Sequence, residues 1–237
     1  MSNMDNKKQK LSMEDLLSLC DYDEVNDRYI SKSGNDYIDS LSKLYDLKNK
    51  NDKPFTVDDI IKQPTLNEFN FDGLKEFKYI GDLTTTPMII KNGKRQNEKI
   101  IVENMTEENK KIYESSQGLV YLITCQIGDN EHIIKIGQSR KTFKERLSSY
   151  NCGCVFNWRT ASTTNIKILQ SFLATRQKFK LYICDCSDDL YTIEWYGVKS
   201  VSFSSPKSLA IEDIMVKQFI QQFNKKPLTN IQANADN

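Results

Sequence analysis

The chain has 237 residues and a formal net charge of +1; 38% of its residues are hydrophobic and 27% are charged. This composition allows a packed core and excludes a highly charged disordered chain. The sequence contains a single histidine, His132, which excludes sites built from several histidines. If the protein is an enzyme, its proton transfers are therefore expected to use Tyr, Lys, Glu or Asp.

Charge is unevenly distributed along the chain. From Ser115 to the end, 15 Lys and Arg stand against 10 Asp and Glu, whereas the first 114 residues hold 18 basic and 22 acidic residues. A basic C-terminal half is compatible with a phosphate-rich partner, although an excess of this size is common. No apolar run approaches the ~20 residues that a membrane span needs, and no secretory signal pattern is present, so we expect a cytoplasmic protein without membrane association.

The first half of the chain is predicted to be an α-rich extension. Residues 1–10 are rich in Asn and Lys and lack periodicity, which is typical of a disordered tail. A capping pattern at Ser12 predicts a helix start, and apolar residues follow helical spacing over 37–45. Asn92-Gly93 suits a tight hairpin turn, because both residues tolerate positive φ. We therefore expect residues 11–114 to form helices and one hairpin.

The second half has a different pattern, in which apolar, β-branched strands precede and follow helices. Its predicted elements, in chain order, are strands at 118–123 and 132–136, helices at 142–150 and 165–176, a strand at 179–186, a hairpin at 191–204 and a last helix that follows Ser205-Pro206 and ends near Asn224. This order predicts an α+β fold over residues 115–232, with a small antiparallel sheet flanked by helices.

Four of the six cysteines fall in two Cys-x-Cys pairs, Cys152/Cys154 and Cys184/Cys186. A zinc site with four thiolate ligands is conceivable, but zinc sites usually place about two to four residues between paired cysteines. Reduced thiols are favoured, because disulfides are rare in a reducing cytosol. Whether the two pairs bind a metal stays open.

The predicted layout gathers polar side chains that are suited to phosphodiester hydrolysis. Tyr121 lies in the first strand, Lys135 lies on its paired strand, and Arg146 and Tyr150 share one face of the next helix. Glu212 lies in the first turns of the last helix. A carboxylate can hold a hard divalent ion, an arginine can neutralise charge on a phosphate, and a tyrosine beside cations can take a proton from water. Each residue taken alone also has an ordinary structural explanation.

These positions resemble the GIY-YIG nuclease family. Gly118-Leu-Val-Tyr121 is similar to the first half of the family motif, and Lys135-Ile-Gly137 is similar to the second half. The further matches, in the family's order, are Arg146, Glu212 and Asn230. The resemblance covers about residues 116–232, half of the chain, and implies a GIY-YIG-like fold for that region.

The resemblance implies a Mg²⁺-dependent endonuclease that hydrolyses double-stranded DNA, with Mn²⁺ as an expected substitute. In the implied site, Tyr121 is the general base and Lys135 favours its phenolate form. Arg146 and Tyr150 bind the scissile phosphate. Glu212 is the metal ligand, and Asn230 holds the site in position. All six residues are expected to meet in one catalytic site.

One departure from the family motif narrows the expected function. Lys135 stands where the family name has a tyrosine, as in some restriction-type and phage-type branches, some of which also place a tyrosine where Tyr150 stands. This favours a restriction-type, site-specific endonuclease. The alternatives are a catalytically inactive DNA-binding or assembly module on the same fold, and a structure-specific repair nuclease. The helix-hairpin-helix module usual in repair nucleases is not recognisable in the sequence.

Two further groups of residues are predicted to contact DNA. The first is a locally basic cluster formed by Lys91, Lys94, Arg95 and Lys99. The second lies in the hairpin at 191–204, which is longer than a minimal domain of the family needs, and consists of Trp195, Tyr196 and Lys199. The remainder of the N-terminal half is expected to pack on the nuclease domain or on the second subunit of a homodimer.

Overall fold

The computed structural model describes residues 11–45, 54–151, 163–186, 190–204 and 207–230. The predicted disordered tail at 1–10, the Cys152/Cys154 pair and the predicted Ser205-Pro206 helix cap lie outside the described residues. Within the described ranges, none of the helices combines the length and the apolar character that crossing a bilayer requires.

The chain forms two compact units, each assembled from three stretches of sequence. The first unit consists of Met1–Thr56, Thr85–Ile100 and Ser149–Arg176, and the second of Val57–Thr84, Ile101–Ser148 and Gln177–Asn237. The sequence prediction placed one boundary after residue 114, whereas the two units alternate along the chain. In the second unit, the strand Lys78–Thr86 pairs with the strand Lys178–Cys184 across this predicted boundary, and such distant pairing leaves no local sequence signal.

The residues up to 115 form both helices and strands. In chain order, the elements are α1 (Met13–Ser18), β1 (Cys20–Asp23), β2 (Arg28–Ser31), α2 (Asn35–Tyr45), α3 (Val57–Ile61), a 3-10 helix (Asp72–Glu76), β3 (Lys78–Thr86), β4 (Ile89–Lys91), β5 (Lys94–Gln96), β6 (Lys99–Glu103) and α4 (Glu107–Ser115). The expectation of α-rich structure with a single hairpin is therefore wrong in its strand content. Several of these strands have only three to five residues, too few to show a clear alternation of apolar and polar side chains.

Local signals in the first half are confirmed where they are strongest. Ser12 caps α1 in a reciprocal capping box with Asp15. Tyr37, which lies on the apolar face of α2, is buried. Asn92 and Gly93 both have positive φ and join β4 to β5, as the hairpin prediction required. Strands β1, β2, β4 and β5 form one four-stranded sheet.

The second half has the predicted element order. Its elements are β7 (Leu119–Ile127), β8 (Asn130–Ser139), α5 (Phe143–Asn151), α6 (Thr163–Thr175), β9 (Lys178–Cys184), the short strands β10 (Leu190–Tyr191), β11 (Glu194–Trp195), β12 (Val198–Lys199) and β13 (Phe203–Ser204), and α7 (Lys207–Phe223). The capping box of Thr142 and Glu145 at the start of α5 is present. The protein therefore has the α+β fold that the sequence predicted.

A five-stranded sheet with the order β6-β3-β9-β7-β8 carries the predicted catalytic strands. Strand β7 lies between β8 and β9 and runs antiparallel to both, so that Tyr121 is paired with Gly137 on one side and with Ile183 on the other. Strand β8 was expected to end at Gly137 but continues to Ser139, because Leu119 still pairs with Ser139. The sheet thereby places Tyr121 next to the second half-motif.

Helix α7 covers one face of this sheet. Its Met215 and Phe219 pack with Val120 and Leu122 of β7 in a hydrophobic cluster. Ile214, the residue before Met215, is 50% exposed. It lies one position away from the i, i+4 series that faces the sheet.

The cysteine prediction is corrected at one point. The predicted strand at 179–186 includes both Cys184 and Cys186, but β9 ends at Cys184. The thiol of Cys186 lies 3.8 Å from the carbonyl oxygen of Cys184. Both residues are free cysteines, as are Cys20 and Cys125.

Candidate active site

Tyr121 lies at the centre of the candidate site and is completely buried, with 0% of its surface exposed. Its ring makes an edge-to-face contact with Phe143, with the ring centroids 5.0 Å apart. The other side of the ring lies against Gly137: a Cβ atom there would be 2.8 Å from Cε2 of Tyr121 and closer still to Cζ and Oη. The glycine of the second half-motif is therefore required for steric reasons, since any side chain would displace the tyrosine.

Helix α5 brings Arg146 to Tyr121. The capping box of Thr142 and Glu145 fixes the first turn of this helix, and the backbone N–H of Arg146 donates to the carbonyl oxygen of Thr142 at 3.0 Å. The Nε–H of Arg146 donates to the phenol oxygen of Tyr121 at 3.2 Å. The two residues are 25 positions apart in sequence, and the fold places them in direct contact.

Lys135 belongs to the same group of charges. Burial lowers the pKa of its ammonium group to about 8; the carboxylate of Glu212 opposes this shift and the guanidinium of Arg146 adds to it. Its Nζ donates to the backbone carbonyl oxygen of Thr229 at 3.4 Å. The side chain is therefore held beside a fixed acceptor and lies within electrostatic range of both neighbouring charged residues.

Glu212 supplies the negative charge of the group. Burial raises the pKa of its carboxyl, Lys135 and Arg146 lower it, and Asp213 raises it. The structure thus brings together one carboxylate, two cations and a buried phenol, contributed by β7, β8, α5 and α7. The catalytic roles of these four residues stay predictions.

Asn230 binds the outer edge of β8. Its side-chain amide donates to the carbonyl oxygen of Ile136 at 2.8 Å, and its Oδ1 accepts from the N–H of Ile136 at 3.2 Å. Thr229 adds a backbone N–H and a hydroxyl that both donate to the carbonyl oxygen of Ile134 at 3.0 Å. These bonds satisfy the exposed side of an edge strand at the residues that flank Lys135.

Tyr150 lies one helical turn after Arg146 on α5, as predicted, and is buried. Its packed position explains why an aromatic residue is suited there. Contact with a phosphate stays a prediction for this residue.

The two predicted DNA-contacting groups lie on different elements. Lys91, Lys94 and Arg95 flank the Asn92–Gly93 turn of the β4–β5 hairpin, and Lys99 begins β6. Lys91, Lys94 and Lys99 are exposed, and Arg95 is partly exposed. Trp195, Tyr196 and Lys199 lie at the end of the β11–β12 hairpin and are all exposed.

His132, the single histidine, has a structural role. Its Nδ1 lies 2.7 Å from the carbonyl oxygen of Gln63, so the ring donates a hydrogen bond there. Next to it lies an open cleft of about 730 Å³, which is also lined by Asn130, Phe223 and Lys225. This use of the imidazole agrees with a catalytic site that depends on other residues.

A divalent ion fits the candidate site as a weakly held ligand. No group of three or more His, Cys, Asp or Glu side chains that could hold a metal occurs among the residues that the structure describes. Glu212 alone offers one hard oxygen donor, which suits Mg²⁺ that keeps several of its waters. Lys135 and Arg146 already place two positive charges near Glu212 and repel a metal ion, so we expect weak metal binding without substrate.

Three features of the site were missed at the sequence level. Phe143 was not assigned to the site, although its ring packs edge-to-face on that of Tyr121. The contact between Gly137 and the tyrosine ring follows from strand register, which the sequence does not show. The acceptor for Lys135 is a backbone carbonyl, at Thr229, and a carbonyl has no side-chain signal.

The chain was compared with known proteins. No protein-family model matches it, and no curated protein sequence matches it. Among solved structures, it is similar to restriction endonuclease HPY188I in complex with product DNA, with 28% sequence identity. The match covers 78% of this chain and 96% of the other, with a TM-score of 0.48.

Proposed function

We propose that the protein is a metal-dependent DNA endonuclease of the GIY-YIG type that hydrolyses phosphodiester bonds. The observation that carries the proposal is the hydrogen bond between Arg146 and the phenol oxygen of Tyr121, in a group that also contains Lys135 and Glu212. A buried phenol in contact with a guanidinium, beside a second cation and one carboxylate, provides the groups needed to bind a phosphate and to move a proton.

Tyr121 is assigned the role of general base. The reacting form is the phenolate, whose negative charge is stabilised by the guanidinium of Arg146; its oxygen takes a proton from the attacking water and becomes the neutral phenol, while the hydroxide attacks the phosphorus. Because the ring is completely buried in the free protein, DNA binding must open a path for water to Oη. Catalytic contacts of this kind commonly tighten or open only in the substrate complex.

The cations are assigned to the phosphate. The guanidinium of Arg146 is proposed to bind the scissile phosphate as well as Tyr121. Lys135 supplies a second positive charge close to it. Tyr150 is proposed as an additional phosphate contact, and Asn230 as the residue that holds β8, and with it Lys135, in position.

Glu212 would hold the divalent ion, with Mg²⁺ as the proposed metal and Mn²⁺ as its substitute. When bound, the ion would neutralise charge on the leaving-group oxygen. The residues of the chain then perform the remaining tasks: Arg146 orients the phosphate, Tyr121 accepts the proton, and the apolar ring of Phe143 excludes bulk water from one side of the phenol.

The basic cluster Lys91, Lys94, Arg95 and Lys99 is proposed to bind phosphates of the duplex. Its lysines are exposed on the β4–β5 hairpin and on the adjoining strand, so they can contact DNA phosphates without any rearrangement of the protein core. Site-specific cleavage of the restriction type, by a homodimer, is the proposed biological form.

The test is incubation of the protein with assorted duplex DNAs and Mg²⁺, followed by sequencing of the ends. We expect cleavage that stops in EDTA and returns with Mg²⁺ or Mn²⁺, and ends that define a short recurring sequence. Cleavage that persists in EDTA would remove the metal role from Glu212. Random ends would contradict the restriction-type proposal and leave the endonuclease proposal in place.

The complete burial of Tyr121 favours a second candidate, an inactive DNA-binding module on the same fold. In that case the bond between Tyr121 and Arg146 would serve packing, and the cations would bind phosphate without hydrolysis. Duplex DNA that is bound but never cut, at any metal concentration, would support this module over the nuclease.

A further inference from the structure

The segment from Leu190 to Ser204, here called the aromatic arm, projects as a narrow hairpin. Strands β10 and β13 pair at its base, and β11 and β12 pair nearer its tip. Between these pairs, the N–H of Ser200 donates to the carbonyl oxygen of Ile193 at 2.8 Å, and the N–H of Ile193 donates to the hydroxyl of Ser200 at 2.9 Å. The arm is inserted between β9 and α7, directly before the helix that carries Glu212.

The tip of the aromatic arm exposes large apolar side chains. Trp195 is 72% exposed and Tyr196 is 91% exposed, and Val198 is exposed beside them. The two aromatic rings are perpendicular, with centroids 5.2 Å apart. Largely exposed aromatic rings at the end of a narrow hairpin gain little folding stability from burial, which points to a binding role.

The backbone at the tip is strained by its own sequence. Tyr196 and Gly197 form a two-residue turn in which both have positive φ, 49° and 77°. Asn-Gly is the pair that suits such a turn, and a bulky residue adopts positive φ only at an energetic cost. The same chain uses the favourable pair, Asn92-Gly93, in its other tight hairpin. Strain that the protein tolerates at a solvent-exposed ring indicates a function for the ring.

Charge does not explain what the tip binds. Glu194 and Lys199 are directly paired across the strands, with their charged groups 4.0 Å apart. They are the charged residues of the aromatic arm, so its net charge is zero. A neutral tip is poorly suited to bind the phosphate backbone, where attraction depends on unpaired cations.

The size of the tip argues against a protein partner. Each aromatic ring can bury about 150–250 Å². A stable protein–protein interface buries about 1,200–2,000 Å² in total, well beyond what two rings provide. Aromatic side chains that stack on bases, or enter between base steps as wedges, need no such area.

We infer that Trp195 and Tyr196 bind the bases of the duplex, entering at a base step and unstacking it. This inference rests on the proposed function, because it assumes that the substrate of the protein is DNA. It assigns the aromatic arm to base contact, and leaves attraction of the phosphates to the basic cluster around the β4–β5 hairpin.

The test uses Tyr196→Asn in the full-length protein. This substitution removes the ring and supplies the residue that the turn prefers, so folding should be retained and the melting temperature should stay equal or rise. Val201→Asn, at an exposed valine of the same arm away from the tip, is the matched control. Binding is measured at several salt concentrations, on a Glu212→Gln background, to a duplex that the parent protein cuts.

We expect Tyr196→Asn to weaken DNA binding at least about tenfold, the scale of one lost base-stacking contact. The slope of affinity against salt should not change, because no cation is removed. In a duplex with 2-aminopurine at the contacted step, fluorescence should rise with the parent protein and with Val201→Asn, and stay low with Tyr196→Asn.

Three outcomes separate the inference from the function it rests on. If the parent protein neither binds nor cuts duplex DNA, the proposed function itself is wrong. If it cuts DNA, and Tyr196→Asn binds and unstacks the duplex as well as the parent does, base contact by the aromatic arm is refuted. If Tyr196→Asn instead changes the sedimentation of the protein and leaves DNA affinity unaltered, the tip binds a second copy, and the inference is again wrong.

Discussion

Gly137→Ala tests the packing of the site with one added methyl group. The new Cβ would lie 2.8 Å from Cε2 of Tyr121 and nearer still to Cζ and Oη, so that either the ring or strand β8 must shift. Neither can move freely, because Tyr121 is buried against Phe143 and β8 is bonded to β7 and Asn230. Overpacking of this kind typically costs about 1–3 kcal/mol of unfolding free energy.

Activity should fall further than stability. Displacement of the ring breaks the 3.2 Å hydrogen bond between Arg146 and the phenol oxygen. A misplacement of about 1 Å at a reacting group can lower a rate on the order of 10²-fold. We therefore expect Gly137→Ala to be folded, to bind duplex DNA, and to cut it at least about a hundredfold more slowly. Urea unfolding and single-turnover cleavage on the same preparation measure the two effects.

The origin of the stability loss is checked in a Tyr121→Ala background. In that background the added methyl group has room, so Gly137→Ala should lower the unfolding free energy only slightly. The double-mutant cycle should then give a coupling free energy of about 1–3 kcal/mol between the two positions. An equal cost in both backgrounds would refute the contact as its cause. Parental cleavage by Gly137→Ala would show that the position of the Tyr121 ring does not matter for the reaction.

Three further predictions concern charge. The pKa of about 8 at Lys135 means that its ammonium group loses its proton near that pH in the folded protein and at higher pH in the unfolded chain. The unfolding free energy should therefore increase as pH rises above about 8, because the unfolded chain binds this proton and the folded protein does not. DNA affinity should decrease over the same pH range, because a positive charge is lost. Lys135→Arg should remove both trends in pH titrations. Glu98 is completely buried, with one carboxyl oxygen bonded to the hydroxyl of Tyr37, and burial raises its pKa above the ordinary value of 4.5. Above about pH 4.5 the unfolded chain loses this proton and the folded state keeps it, so the unfolding free energy should decrease as pH rises. Urea unfolding at a series of pH values should show a weaker pH dependence for Glu98→Gln. Finally, changing Lys91, Lys94, Arg95 and Lys99 to Gln should weaken DNA binding and flatten its dependence on salt, whereas an unchanged slope in anisotropy titrations would show that these residues do not contact phosphates.

Sequence patterns predicted those parts of the fold that depend on neighbouring residues. The capping boxes at Ser12 and Thr142 and the Asn92–Gly93 turn each satisfy backbone groups within a few residues, so their signals are local. The order of elements after residue 115 was also predictable, because its strands and helices are long enough to show their periods.

Long-range pairing was not predictable. Strand β3 lies inside the five-stranded sheet and pairs with β9, about 100 residues later in the chain. Its buried Asp82 accepts hydrogen bonds from Tyr79 and Asn104. A buried carboxylate contradicts the usual pattern of an interior strand, and its partners are known only once the fold is known.

In the candidate site, too, some features were predictable from the sequence and others depend on long-range contacts. Tyr121, Arg146 and Glu212 were expected to meet in one site from the predicted layout and the family resemblance, and their catalytic roles stay predictions. The complete burial of Tyr121 was not foreseen. It depends on Phe143 and Gly137, whose contacts with the ring follow from strand register and helix rotation.

The central claim is that Tyr121 and Glu212 perform the hydrolysis of DNA. The most direct test measures cleavage of one confirmed duplex by Tyr121→Phe and by Glu212→Gln, with Tyr79→Phe and Asp213→Asn as matched controls. Tyr79 lies on a strand of the same sheet, and Asp213 is the neighbour of Glu212 on α7, where it pairs with Lys217. We predict that both site variants keep their fold and lose at least about a hundredfold in rate while both controls stay near the parental rate; parental rates in Tyr121→Phe and Glu212→Gln would contradict the claim.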